Sequence, residues 1–314
     1  DSKQIVAAVA PTPLIDHHYM YRRIRIVDVA SGKVVKKIEN PGKIGEIAWS
    51  PDGTRLAFLS GEDINDPSYG RLMIASVKTG KFSDIMPKYL PNVMDIAWAS
   101  NDALNFLAHD GCYSAFGIVS SDGSQQDILW PAKGTVFDSF SQADDKSRLA
   151  LVGESPTHSL EVFTYALEGD GRANPRRLTD VNPWFSSRKF AKQEVIEYKA
   201  RDGVTVQGIL VHPLNEEKGK RYPLIIAVHG GPESHVPNGW VTRYTYPGQL
   251  GAVRGFATFY PNYRGSTGRG VAFAKSHQAD YGGKELKAAV DGIAHLCKLG
   301  PVARQQVGFT GRHS

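Results

Sequence analysis

The chain has 314 residues, 41% hydrophobic and 22% charged, which suits two domains or one large one and excludes disorder, collagen-like repeats and a small disulfide scaffold. Lys and Arg total 37 against 32 Asp and Glu, a formal net charge of +5; the excess is spread along the chain without a basic stripe, so no nucleic-acid partner is implied.

The first half repeats. Trp49-Ser50-Pro51-Asp52-Gly53-Thr54-Arg55-Leu56-Ala57-Phe58 reads as an aromatic, a polar turn and a short strand, and degenerate copies open at Trp98 (WASNDALNFLA) and Phe140 (FSQADDKSRLAL). The opening DSKQIVA matches Asp52 to Phe58 about 51 positions earlier, so the chain is expected to begin in mid-repeat. A second signature keeps pace: RRIRIVDVASGK at 22–33, GRLMIASVKTGK at 70–81, FGIVSSDGS at 116–124 and LEVFTYALEGDG at 160–171. Each is an alternating strand closed by a Gly-containing hairpin turn, the pattern of an antiparallel sheet with one buried face. Four such sheets at a spacing of roughly 43–51 residues predict a partial β-propeller of about four blades; a β-sandwich of the same strands has no reason to repeat its turn so regularly.

Near Asn182-Pro183-Trp184 the repeat stops, which sets the expected boundary: propeller over 1–185, a second domain over 186–314. Residues 194–211 read as a hairpin about Asp202-Gly203, and 215–221 as a solvated charged turn. Leu224 to Val228 is the longest apolar run of this half, far short of the roughly 18 residues of a membrane span. Helices near 247–254 and 284–299 alternating with strands at 256–260 and 306–310 predict an α/β domain with a largely parallel sheet.

Chemistry concentrates at two strand ends. Leu224–Val228 runs into His229-Gly230-Gly231-Pro232, where glycines let backbone N–H groups approach a ligand, as the oxyanion of an acyl-transfer intermediate requires; a plain turn is the competing reading. The strand at 306–310 ends in Gly311-Arg312-His313-Ser314, where an α/β-hydrolase places the elbow carrying its nucleophile.

HGGP, then Tyr260-Pro261-Asn262-Tyr263-Arg264-Gly265-Ser266-Thr267-Gly268, then Asp280-Tyr281-Gly282-Gly283, then VGFTG at 307–311, in this order and spacing, resemble the prolyl oligopeptidase family of serine peptidases. The acylaminoacyl and dipeptidyl peptidases are the branch most resembled. The resemblance covers essentially the whole chain and implies a propeller followed by an α/β-hydrolase domain, both partial, with short peptides as substrate and no cofactor. The family elbow continues Gly-Gly-Ser-Tyr-Gly-Gly. Laid on this chain it puts His313 at the nucleophile position and Arg312 at the second glycine; a register moved by one residue offers Ser314 instead. The resemblance further implies a chain cut short at both ends, and Gly231 or Gly230 as oxyanion donor.

All ten histidines precede Ser314, whereas the hydrolase triad runs Ser, Asp, His, so no complete catalytic set is expected in this polypeptide. Arg264 is a candidate for binding a peptide carboxylate, with a loop-stabilising ion pair as the equal reading. His229 is expected to shape its loop. The acidic turn Glu62 to Asp66 lacks calcium-loop spacing, the pair His17-His18 lies beside a predicted strand with no third ligand, and Cys112 and Cys297 define neither a disulfide framework nor a zinc site, so no metal is expected. Besides a peptidase, two functions stay open: a non-catalytic propeller platform for protein binding with a degenerate hydrolase domain, and an esterase on the same fold.

Overall fold

The computed structural model describes residues 3–65, 70–131, 134–167, 174–231 and 233–311. The sequence repeats become four consecutive antiparallel sheets. The first contains β1 (Gln4–Val9), β2 (Arg23–Asp28) and β3 (Val34–Ile38), and the second β4 (Ile44–Trp49), β5 (Arg55–Ser60), β6 (Arg71–Ser76) and β7 (Phe82–Asp84). The third contains β8 (Asn92–Trp98), β9 (Ala103–Asp110), β10 (Tyr113–Ser120) and β11 (Gln126–Pro131), and the fourth β12 (Val136–Gln142), β13 (Arg148–Ser155), β14 (His158–Ala166) and β15 (Arg176–Arg177). Strands follow one another in chain order within every sheet, and among the described residues no pairing joins the first sheet to the fourth.

The repeated turn has a chemical cause. Asp52 Oδ1 accepts hydrogen bonds from Ser50 Oγ at 2.6 Å, Thr54 N at 3.0 Å and Thr54 Oγ1 at 2.8 Å. Asp145 does the same for Ser147 N and Oγ, and in a turn of the second signature Asp122 does so for Ser124 N and Oγ. A carboxylate that closes its own turn does not depend on the strands' burial. That independence lets the turn recur while the strand sequences drift.

The alternation expected for one buried face gives way in the middle of the stack. Leu56, Ala57, Phe58 and Leu59 of β5 are all fully buried. Leu56 and Phe58 pack with Ile24, Ile26 and Ile38 of the first sheet, while Ala57 and Leu59 pack with Trp98, Leu104 and Phe106 of the third. A sheet sandwiched between neighbours buries both faces. Leu107, Phe116 and Trp130 in turn meet Phe137, Leu149, Leu151 and Tyr165 of the fourth sheet.

After a 3-10 turn at Pro183–Ser187 comes a five-stranded sheet of β16 (Gln193–Lys199), β17 (Thr205–Val211), β18 (Tyr222–Val228), β19 (Ala257–Asn262) and β20 (Val302–Gly311), in the order β16-β17-β19-β18-β20. Only β18 pairs in parallel, with β19 and with β20; β16 with β17 and β17 with β19 are antiparallel. The sheet is therefore mixed, not largely parallel, because the Asp202-Gly203 hairpin is too short for a crossover connection. The described residues form four helices: α1 (Ile15–Met20), α2 (Gly248–Val253), α3 (Val271–Lys275) and α4 (Lys284–Leu299). α1 carries His17 and His18 on a helix, where the sequence placed only a neighbouring strand, and it buries none of its residues. α4 covers the sheet through Ala288, Ala289, Gly292 and Leu296.

Candidate functional site

β18 and β20 carry the two candidate loops to the same edge. Their parallel register pairs Ile225 with Gly308, Ala227 with Thr310 and Val228 with Gly311, so both strands end together. His229-Gly230-Gly231 emerges directly beside Gly311, the last residue of β20. Arg312, His313, Ser314 and Pro232 lie outside the described residues.

Gly231 adopts φ +126°, and a Cβ built there would lie 2.7 Å from the backbone nitrogen of Glu233. The bend needs glycine on both counts. It opens onto a cleft of about 1010 Å³ walled by Gly231 and Glu233 on one side and by Tyr19 of α1 and Arg22, Lys43 and Ile64 from the connections of the first two sheets on the other. Lys43 and Glu233 form an ion pair across it.

His229 is 3% exposed. Its Nε2 lies 2.9 Å from Ser266 Oγ and its Nδ1 2.9 Å from Gly230 O, and its ring stacks on Tyr263 with centroids 4.4 Å apart. Tyr263 donates its hydroxyl to His229 O at 2.6 Å. Burial outweighs the bond to Gly230 and pushes the imidazole down to about 4, so it is neutral in ordinary buffers. These contacts fix the loop and leave no ring nitrogen for a substrate.

The loop's far end is held by the same segment: Thr267 N donates to Ser234 O at 3.0 Å, and His235 Nδ1 lies 2.8 Å from Thr267 Oγ1. Tyr263, Arg264, Ser266 and Thr267 are all buried. Arg264 points its guanidinium at Asp202 of the β16–β17 turn and forms an ion pair there. In the sequence Ser266 and Thr267 stand inside a motif with no sign of a role of their own, and nothing there marks His235 or Lys43. A hydroxyl pair cannot be matched to two histidines more than 30 positions away until the chain is folded.

Asp280 accepts from the backbone N–H of Lys284 at 3.0 Å and so caps the start of α4, leaving Tyr281 exposed on the cleft. Glu62 and Asp63 pair with Lys275 of α3. Asp66 is outside the described residues. Among the described residues no group of three or more His, Cys, Asp and Glu is placed to hold a metal ion, and no helix is long and apolar enough to cross a membrane. Both cysteines are free thiols, and burial pushes Cys112 up to about 12.

Residues 244–313 match the Prolyl oligopeptidase family. The chain is 31% identical over 177 residues to the uncharacterized peptidase YuxL of Bacillus subtilis, covering 56% of this chain and 26% of that protein. With dipeptidyl-peptidase 5 of Aspergillus fumigatus it shares 39% over 237 residues, 76% of this chain and 26% of the relative. Acylaminoacyl peptidase of Pyrococcus horikoshii superposes with a TM-score of 0.75 at 21% identity, covering 98% of this chain and 46% of that one. A puromycin hydrolase superposes with a TM-score of 0.75 at 19% identity, covering 99% and 47%. These solved enzymes combine a propeller with a hydrolase domain, and this chain spans less than half the length of each protein named here. By the direct match of its C-terminal segment and by these relatives, it is to the prolyl oligopeptidase family that this chain is related.

Proposed function

We propose that the chain is the propeller-side and oxyanion-side portion of a serine peptidase that hydrolyses short peptides through an acyl-enzyme. In this reading the four antiparallel sheets are blades of a partial propeller over residues 1–185, and residues 186–314 form the first part of an α/β-hydrolase domain. The observation that carries it is the register of β18 on β20, which ends the Gly230-Gly231 loop beside the elbow position. Such an edge is where hydrolases gather nucleophile and oxyanion donors. Gly231 N–H, with Gly230 as the neighbouring alternative, would hold the developing oxyanion. The cleft beside it has room for a few residues of peptide. One acylaminoacyl peptidase of this fold has been solved with the peptidyl compound Z-Gly-Gly-Phe-chloromethyl ketone.

The 314-residue polypeptide itself is proposed to be inactive. The two histidines of the glycine loop are committed to structure: His229 to Ser266 and Tyr263, His235 to Thr267. The same commitment favours a second reading for the isolated polypeptide, a non-catalytic peptide-binding platform. Incubation with chromogenic peptides and with a fluorophosphonate probe should give no turnover and no labelling. A short apolar peptide should still shift the amide resonances of Gly230 and Gly231. Stoichiometric labelling of Ser314 would overturn the proposed inactivity, and the absence of any peptide-dependent shift would overturn the assignment of the loop.

A further inference from the structure

Behind the Gly230-Gly231 loop, two imidazoles meet across the boundary between the third antiparallel sheet and the five-stranded sheet. His109, near the end of β9, is 5% exposed. Its Nε2 lies 3.1 Å from Phe137 O, and because a carbonyl can only accept, that nitrogen carries the proton and Nδ1 presents a lone pair. Nδ1 is buried without a hydrogen-bond partner. His235 is tied at Nδ1 to Thr267 Oγ1, and its Nε2 is likewise buried and unpartnered. The rings pack edge to face with centroids 4.6 Å apart and planes at 77°.

This arrangement suits two neutral rings. In an imidazolium both nitrogens carry protons whatever the starting tautomer, so protonating either ring leaves a buried N–H⁺ with no acceptor at His109 Nδ1 or His235 Nε2, packed against another imidazole. The surrounding charges do not provide one at His235. Its electrostatic neighbours are His109 and His229. From β12, Asp138 approaches His109 Nε2 at 3.4 Å. Glu154 of β13 is bound to Arg243, and Asp110 of β9 interacts with Arg269.

Resting on the reading of this loop as the oxyanion loop, we infer that His235 is its pH-sensitive positioning residue: neutral, it clasps the loop to His109 of the third sheet, and acidification releases it. The direction follows from linkage. Burial, with the repulsion of His109 and His229, holds His235 below its ordinary value. The clasp is therefore complete above the unfolded value of about 6.5 and weakens as pH falls below it, by about fivefold in the opening equilibrium over the first pH unit and approaching tenfold per unit below that.

Hydrogen exchange of residues 229–235 in the 314-residue protein, corrected for intrinsic rates, tests this. Between pH 7.5 and 6.5 the opening equilibrium should change little. Between pH 6.5 and 5.5 it should rise by about fivefold or more, and His235→Gln, which keeps a hydrogen-bond partner for Thr267, should remove about fivefold of that rise. A merely structural role would lower protection equally at all three pH values. His235→Phe, which keeps the ring contact, serves as the second variant. The inference is overturned if the wild-type protein shows no step, if both variants keep the full step, or if nitrogen-15 spectra of His235 show titration near its ordinary value. Loss of the peptide-dependent shift at Gly231 with the step intact would remove the oxyanion reading and leave the clasp standing.

Discussion

Two kinds of residue matter most to this chain: the aspartates that close the repeated turns and the glycine that bends the candidate loop. Hydrogen bonds from Ser50 and Thr54 hold Asp52 down to about 2 from an ordinary 3.8. A carboxylate depressed in the folded state stabilises it above the unfolded value and loses that contribution as pH falls through the folded one. Asp52→Ala should therefore lower stability near pH 6 and flatten the acid-induced loss between about pH 4 and 2, read by circular dichroism. An unchanged slope would show that the turn does not depend on the charge. At Gly231, valine would meet both the positive φ and the Glu233 backbone. Gly231→Val should cost about 1–3 kcal/mol in denaturant unfolding and abolish the peptide-dependent shift at Gly230.

Among the elements, α4 shows how closely helix and sheet are fitted. A Cβ at Gly292 would lie 2.9 Å from the Phe259 ring and 2.9 Å from Tyr198 Oη. Tyr198 cannot move aside freely, since it is 3% exposed and donates to Ala288 O at 2.8 Å. In a free helix, Gly→Ala stabilises by about 1 kcal/mol; here overpacking of about 1–3 kcal/mol opposes it. Gly292→Ala should destabilise by about 1 kcal/mol net, measured by the denaturant midpoint at constant slope. A stabilised variant would mean that α4 stands off the sheet. The same fit explains why α4 was legible in advance and α1 was not. The small residues Ala288, Ala289 and Gly292 share one face at helical spacing, whereas α1 is six residues without a buried face.

The molecule as a whole is held across its middle by unequal means. On the cleft side the ties are charged: Lys43 to Glu233, and Lys275 to Glu62 and Asp63. On the far side they are packed: Cys112 is buried with Ile209, Val236 and Tyr260, Gly111 N donates to Gly268 O at 2.9 Å, and Asn238 N donates to Cys112 O at 2.8 Å. One charged tie lies within this packed side, Arg243 to Glu154, whose side chain is only 4% exposed. Burial raises the Glu154 carboxyl above its ordinary value despite the guanidinium. Removing the cation leaves the buried carboxylate short of a partner, and with the guanidinium half-exposed to solvent Arg243→Met should cost about 1–2 kcal/mol at pH 7. Adding Glu154→Gln should restore most of that loss, as a double-mutant cycle will show; strict additivity of the two changes would deny the coupling.

The four sheets, the helix–strand alternation after them and the glycine bend at Gly231 were legible because each rests on local chemistry: a side chain closing its own turn, a glycine at a strand end, an apolar stripe at helical spacing. Folding decided what depends on partners distant in sequence. β5 buries both faces because sheets lie on either side of it. Arg264 is turned inward by Asp202, 62 positions away, and the acidic turn at Glu62 and Asp63 is neutralised by Lys275 of α3. His235 and His109 are unremarkable letters in the chain, 126 positions apart by their numbers. Their pairing exists only because the third sheet is pressed against the loop, and the burial that depresses His235 belongs to that contact and not to either residue.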